Sequence, residues 1–395
     1  MARYFDKKQI SYKLLKNIEE LTELNDIDII IKSPGIPIDT PLLLKAKEEN
    51  KLVISDLELF YILFPNAIIL SITGTNGKTT TSLMIEALLK TKYKVHLGGN
   101  IGIPLFDLDS TNNFKNEIVI IECSSYMLAY TYSFHPHVAV ISNIYPNHLD
   151  HHKTFKNYIE SKFKMIKNMT KNDFLIYSTE LNIYDELSNF KGHKICIDTI
   201  SNNFIETKLK EKFKDFHNQC NFKMAVACSK LFEIDDESVM NVINNFELPK
   251  YRLEKIFTTE KLTIYNDSKS TNFLSLIKAL DFLKISEYKI YWIGGGLDRL
   301  EDWEQIKEEL KVIDKAYLYG SNRFKIANVL EQLNIEYQVR KTLTEIINIL
   351  PKELKYKTCI LFSPASPSTD QFHNYIERGE VFDKYILNHF EIGKI

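Results

Sequence analysis

Ser71-Ile72-Thr73-Gly74-Thr75-Asn76-Gly77-Lys78-Thr79-Thr80-Thr81 lies between two different hydrophobic patterns. Ahead of it the apolar run Ala67 to Leu70 predicts a short buried strand, and behind it Leu83, Met84, Ala87 and Leu88 recur at helical spacing over Ser82 to Lys90. A strand, a glycine-rich turn and a helix in that order aim backbone N–H groups and the positive end of a helix dipole at a phosphate. Lys78 would meet the outer phosphates as a point charge, and the Thr79 hydroxyl would ligate Mg2+. A lone glycine pair would be only a turn beside a surface lysine. Gly-Lys-Thr at a strand-to-helix junction instead reads as a nucleoside triphosphate site. The loop is short: two residues separate Gly74 from Gly77, against the usual Gly-x-x-x-x-Gly-Lys.

Composition bounds the rest. A chain of 395 residues is long for one domain and suggests two or three. Hydrophobic content of 44% with 26% charged residues is that of a soluble globular protein. A formal net charge of −2 gives no general attraction for nucleic acid. No apolar run is long enough to span a bilayer, and Arg3, Asp6, Lys7 and Lys8 argue against a secretory signal, so a cytoplasmic protein is expected. The cysteines are scattered and never spaced Cys-x-x-Cys, which suggests neither a disulfide framework nor a structural zinc site.

The strand and helix alternation predicts an α/β protein of three domains: a small N-terminal unit over 1–66, a central parallel-sheet domain over 67–249, and a further open α/β domain over 250–395. In the first, Ile27 to Ile31 reads as a strand ending in the turn Lys32-Ser33-Pro34-Gly35-Ile36-Pro37, with helices at Pro41 to Glu49 and Asp56 to Leu63 around a strand at Leu52 to Ser55. In the second, Ile118 to Ile121 is a strand delivering Glu122 to its carboxyl end, where a carboxylate can hold a metal ion or stand at the surface. The strand Val138 to Ser142 leads into Asn143-Ile144-Tyr145-Pro146-Asn147-His148-Leu149-Asp150-His151-His152; zinc is the weaker reading, since no His-Glu-x-x-His pattern accompanies these histidines. Phe155 to Met165 reads as a helix in which Lys162 is one lysine among several, residues 170 to 216 read as strands and turns, and Asn218 and Asn221 open a helix where either could be a cap. In the third, Arg252 could clamp a phosphate or pair with Glu254, and Asn266-Asp267-Ser268-Lys269-Ser270-Thr271-Asn272 between a strand and the helix Phe273 to Phe282 suits an anion. After the strand Ile290 to Ile293, Gly294-Gly295-Gly296-Leu297-Asp298-Arg299 reads as a loop that fails the dinucleotide spacing. The strand Cys359 to Phe362 ends in Ser363-Pro364-Ala365-Ser366-Pro367-Ser368-Thr369-Asp370-Gln371-Phe372.

The loop Thr-Gly-Thr-Asn-Gly-Lys-Thr-Thr resembles that of the Mur ligase and folylpolyglutamate synthase superfamily, and the later motifs follow in that family's order. The resemblance implies an ADP-forming, amide-forming ligase that works through an acyl phosphate with ATP and Mg2+. It implies ATP contacts from Gly74, Thr75, Asn76, Gly77, Lys78, Thr79, Thr80, Asn218, Asn221, Arg252 and Asp267. Metal ligation is implied for Thr79, Glu122, His148 and Lys162, the last as a carbamate, with Lys78, Glu122, His148 and Lys162 as the catalytic set. Substrate contacts are implied for Ser33, Asn100 in Gly99-Asn100-Ile101-Gly102, Lys269, Thr271, Arg299, Ser368, Thr369 and Tyr375. Ser-Pro-Gly-Ile-Pro and Ser-Pro-Ala-x-x-Ser-x-Asp-x-Phe with the later Arg378-Gly379 are most similar to the branch that adds D-glutamate to UDP-N-acetylmuramoyl-L-alanine in peptidoglycan precursor synthesis. A monomer closing its C-terminal domain on ATP is expected. Asn147 and Tyr251 stand where the family has aspartate and histidine, and Asp215-Phe216 where glycine is common before His217. The family's opening strand and Gly-x-Gly-x-Ser/Thr-Gly turn are not matched; Ala2 to Phe5 resembles its second strand, so a truncated Rossmann-like N-terminal domain is expected. A sister ligase, or a nucleotide-binding protein without ligase activity, are the other readings.

Overall fold

The computed structural model describes residues 1–15, 24–33, 36, 40–101, 103–108, 113–199, 203–213, 216–284, 287–299, 302–352, 354 and 356–390. Pro34, Gly35 and Pro37 of the Ser-Pro-Gly-Ile-Pro turn, Gly102 and Asp215 lie outside them. The chain forms two compact units, Met1–Glu247 and Leu248–Ile395.

In the first unit β1 (Ile29–Lys32) and β2 (Leu52–Ser55) form a two-stranded parallel sheet. A six-stranded sheet follows, built from β3 (Ile68–Thr73), β4 (Val95–Gly99), β5 (Ile118–Glu122), β6 (Val138–Ile141), β7 (Phe174–Tyr177) and β8 (His193–Cys196). Its order is β4-β5-β3-β6-β7-β8 and every pair is parallel. The all-buried runs Ile118–Glu122 and Val138–Ile141 show why: strands covered on both faces need apolar side chains on both. The chain winds to one side of β3 through β4 and β5 and to the other through β6, so a crevice opens at the carboxyl end of β3. That crevice is where the glycine-rich loop begins.

Two expectations fail here. Ala2 to Phe5 is not a strand; Ala2–Lys8 is a helix. Tyr4 packs edge-on against Phe64 and Phe106, Phe5 is buried, and Lys7 and Lys8 sit in the last turn, where cations suit the helix dipole. Residues 170 to 216 hold a helix at Asn203–Lys212 besides their strands. Ile205, Leu209 and Phe213 supply its buried stripe at four-residue spacing in an otherwise polar stretch.

The helix Asp56–Leu63 is fastened to the large sheet's periphery by a buried carboxylate. Ser55 caps it, and Glu58, only 2% exposed, accepts bonds from the N–H groups of Tyr132 (3.0 Å), Ser133 (2.7 Å) and Phe134 (3.0 Å) and from the Ser133 hydroxyl (2.5 Å). Phe60 on the same helix and Phe64 just after it close against Phe114.

The second unit contains β9 (Glu254–Thr258), β10 (Leu262–Asn266), β11 (Lys289–Gly296), β12 (Lys315–Gly320), β13 (Glu336–Val339) and β14 (Thr358–Phe362) in the order β13-β12-β11-β14-β10-β9. All pairs are parallel except the edge pair β9–β10. Leu276, Leu280, Trp292 and Trp303 fill one face, and Ile293, Tyr319, Phe362 and Phe382 the other. The triple glycine expected as a loop is the end of β11: a Cβ at Gly294 would lie 2.1 Å from the Trp292 ring, and one at Gly295 2.1 Å from the Tyr319 carbonyl oxygen. The α/β architecture with parallel sheets follows the expectation.

Candidate active site

The loop leaving β3 is held by residues far away in sequence. Gly77 adopts φ 83° and caps the helix Lys78–Leu89, and Gly74 lies so close to β6 that a Cβ would be 1.9 Å from Ser142 Oγ. The Ser142 hydroxyl donates to the Asn76 carbonyl at 2.5 Å, and Asn143 Oδ1 accepts the Asn76 N–H at 2.9 Å. Thr75 donates its N–H to the Asn143 carbonyl at 2.8 Å and shares its hydroxyl with Tyr158 at 3.0 Å. Lys78 folds back over the loop, donating to the carbonyls of Gly74 (2.8 Å) and Thr75 (2.9 Å). Thr79 and Thr80 are buried in the first helical turn. The helix Phe216–Leu231 packs alongside and brings in Asn221, whose Oδ1 is the atom a Cβ on Gly77 would strike at 2.4 Å; Asn218 accepts from Asn221 Nδ2 at 3.4 Å.

Lys162, 1% exposed, lies beneath this loop. Its amine donates to the Gly74 carbonyl at 2.8 Å and to Thr73 Oγ1 at 3.3 Å, and it stands over the Tyr158 ring at 4.7 Å. Burial, reinforced by the nearby Lys78 charge, holds its pKa well below the ordinary lysine value. Glu122 ends β5; Oε1 accepts from Asn100 at 2.7 Å, while Oε2 is buried with no hydrogen-bond partner. His148, in left-handed backbone, shares Nδ1 with the Tyr126 hydroxyl at 3.1 Å. Among the described residues no three His, Cys, Asp or Glu side chains gather around one point. Thr79, Glu122, His148 and Lys162 offer only two such side chains, so a cation needs oxygen from the other two. The orphaned Glu122 oxygen fits a hard cation, and Lys162 fits one only as an anionic carbamate, since an amine is a poor ligand for it.

In the second unit the candidates collect at the carboxyl ends of β10, β11 and β14. Asp267 is buried: Oδ1 accepts the Leu253 N–H at 3.0 Å, Oδ2 accepts the Ser363 hydroxyl at 2.8 Å, and burial raises its pKa to about 7 against the opposing pull of Arg252 and Arg378. Lys269 lies across the Tyr375 ring at 3.9 Å. Ser368 is buried and Thr369 exposed on the loop after β14. Thr271 precedes Asn272, which caps the helix Phe273–Leu283. Arg299 is half-buried beside Asp298, itself held by Ser321 Oγ and Lys325. Ser33 is exposed at the end of β1, so it belongs to the small sheet rather than to the glycine-rich loop. Sequence reasoning missed Ser142, Asn143 and Tyr158 as supports of the loop, and Arg378 as a support of the second cluster. Ser142-Asn143 directly after a buried strand was the available signal.

A model described as Mur ligase middle domain matches residues 72–247, and one described as Mur ligase, glutamate ligase domain matches residues 251–366. This chain belongs to the Mur ligase family, and with it to the ATP- and Mg2+-dependent enzymes that form amide bonds. It is 33% identical over 370 residues to the UDP-N-acetylmuramoylalanine--D-glutamate ligase of Streptococcus mutans, covering 89% of this chain and 81% of that one. It is 30% identical over 396 residues to the enzyme of the same name from Macrococcus caseolyticus, covering 96% and 88%. Among solved structures, MurF ligase from Thermotoga maritima in complex with ADP superposes with a TM-score of 0.60 at 14% identity over 92% of this chain and 94% of that one. UDP-N-acetylmuramate-alanine ligase MurC from Thermotoga maritima gives 0.57 at 17% over 97% and 90%. Those two likenesses establish the fold. No helix among the described residues is long and apolar enough to cross a membrane.

Proposed function

We propose that this ligase joins D-glutamate to UDP-N-acetylmuramoyl-L-alanine, acting as a cytoplasmic monomer in peptidoglycan precursor synthesis. What carries the reading is the convergence of Lys78, Lys162 and Glu122 at the ends of β3 and β5, in a chain aligned over 89% of its length with the streptococcal D-glutamate ligase.

Lys78 and Lys162 both bond the Gly74 carbonyl, so two lysine side chains converge behind the loop. When ATP binds, Lys78 exchanges the Gly74 and Thr75 carbonyls for phosphate oxygens, and the N–H groups of Gly77, Lys78, Thr79 and Thr80 face the phosphates from the helix start. The γ-phosphoryl passes to the alanyl carboxylate, leaving ADP and an acyl phosphate. In the first unit Asn218 and Asn221 are the further ATP contacts and Ser33 and Asn100 the contacts to the UDP-sugar; in the second unit Arg252 and Asp267 are the ATP contacts. The amine of D-glutamate, whose carboxylates lie against Lys269, Thr271, Arg299, Ser368, Thr369 and Tyr375, attacks the acyl carbon; the amide forms, phosphate leaves, and the amine proton goes to solvent. The lowered pKa of Lys162 favours the deprotonated form that adds CO2, giving a carbamate as an N–H proton is released. Mg2+, held by Thr79, Glu122, His148 and that carbamate, would offset the charge of the phosphates.

The test is phosphate release from ATP with UDP-N-acetylmuramoyl-L-alanine, with and without D-glutamate, with product mass. Release that needs both substrates and is abolished in Lys78→Ala is expected; D-glutamate-independent release, or a Lys78→Ala variant near wild type, would refute the reading.

A further inference from the structure

Arg378 has no solvent exposure, yet no described hydrogen bond of its guanidinium goes to a carboxylate. Nε donates to Ser268 Oγ at 3.1 Å, Nη2 to the Ser268 carbonyl at 2.6 Å and, at 3.5 Å, to that of Ser270, and Nη1 to the Ser366 carbonyl at 2.8 Å. Ser268 and Ser270 flank Lys269, and Ser366 stands two residues before Ser368. The Ser268 hydroxyl also donates to the Tyr375 carbonyl at 2.8 Å. One rigid fork therefore ties the loop after β10 to the loop after β14, strands that are paired with Asn266 opposite Phe362. The helix Tyr375–His389 that carries Arg378 is itself pressed in place: a Cβ at Gly379 would lie 2.5 Å from the Tyr251 ring. Lysine could supply the charge but only a point donor, so it would release one loop or the other.

We propose that Arg378 is a positioning residue which fixes the separation between Lys269 on one loop and Ser368 on the other, with Tyr375 at the start of its own helix, and thereby the length of dicarboxylic amino acid accepted. This rests on the reading that those residues bind D-glutamate. The carboxyl groups of a dicarboxylic amino acid need two anchors at a set distance, and the two anchors here stand on separate loops joined from behind by this side chain.

The test compares wild type with R378K and R378A in the full chain, using D-glutamate, D-aspartate and D-2-aminoadipate in the ligation assay, with amide exchange read in parallel. In R378K, KM for D-glutamate should rise roughly tenfold, as for loss of a charge-assisted bond, with KM for ATP changed by less than about twofold. Preference for D-glutamate over the shorter and longer homologues should narrow, and amides of 268–270 and of Ser366, Ser368 and Thr369 should exchange faster. Added guanidinium should partly restore R378A. KM values for ATP and D-glutamate rising together, or unchanged length preference and exchange in R378K, would overturn the proposal. A wild type with no D-glutamate-dependent turnover would instead refute the ligase reading, and the exchange of the two loops in R378K would then decide the role of Arg378 by itself.

Discussion

Replacing Gly77 by alanine tests why the loop contains glycine there. At φ 83° an alanine costs roughly 1–2 kcal/mol, of which the reduced freedom of the unfolded chain offsets about 0.4–1 kcal/mol, so the dihedral angle leaves a net cost of up to about 1.6 kcal/mol. The rest is steric. The new Cβ would lie 2.4 Å from Oδ1 and 3.2 Å from Cγ of Asn221, which is only 2% exposed and cannot swing into solvent. Forcing that side chain aside should cost about 1–3 kcal/mol. In a unit of this size each kcal/mol lowers the melting temperature by roughly 2–4 °C, so the steric cost alone should lower it by about 2–12 °C in calorimetry, together with a raised KM for ATP. Asn221→Ala removes the obstructing atoms, so the double variant should be more stable than the sum of the single effects by roughly 1–2 kcal/mol. Additivity within about 0.5 kcal/mol would refute the steric reasoning and leave the dihedral angle as the sole reason for glycine.

Lys162→Met should abolish ligation while leaving the melting temperature little changed, because an apolar side chain relieves the burial of an amine. The carbamate resonance expected from 13C-labelled bicarbonate in wild type should be absent in that variant and shrink in wild type as acid protonates the amine; a resonance that persists in Lys162→Met would place the carbamate elsewhere. Asp267 titrates at about 7 in the fold against 3.8 ordinarily, so between those values the folded state holds a proton that the unfolded chain has released. Its contribution to stability is therefore lost as pH rises through about 7, and Asp267→Asn should flatten the fall in urea stability between pH 5 and 7.5; an unchanged difference between the two pH values would contradict the buried assignment.

The features that could be read from sequence were those written in contiguous residues. The strands at Ile118 and Val138 announce themselves because burial on both faces demands unbroken apolar runs, and the nucleotide loop because glycine, lysine and threonine must be adjacent to do their work. The helix Ala2–Lys8 was not legible, since its few apolar residues fit either period and the decision falls to Phe64 and Phe106. Lys162 looks like its neighbouring lysines until burial singles it out, and that burial comes from β3 and Tyr158. Ser142 and Asn143 support a loop more than 60 residues earlier, and Arg378 bonds residues up to 110 positions away, so no local pattern could mark them. Where propensity and chemistry are local the sequence speaks; where a long-range partner assigns the role, it is silent.

The Glu58 clamp has a consequence for synthesis. The last of the amides that satisfy its carboxylate lies 76 residues further along the chain. At roughly 5–20 residues per second, a ribosome makes that partner about 4–15 s after Glu58 itself. Until then the helix carrying Phe60, with Phe64 just after it, has an acidic group with nowhere to dock and an aromatic face with nothing to cover it. That helix is thus secured only after residues 132–134 have followed it, and slowing translation between residues 64 and 134 would prolong the interval in which the nascent chain needs a chaperone.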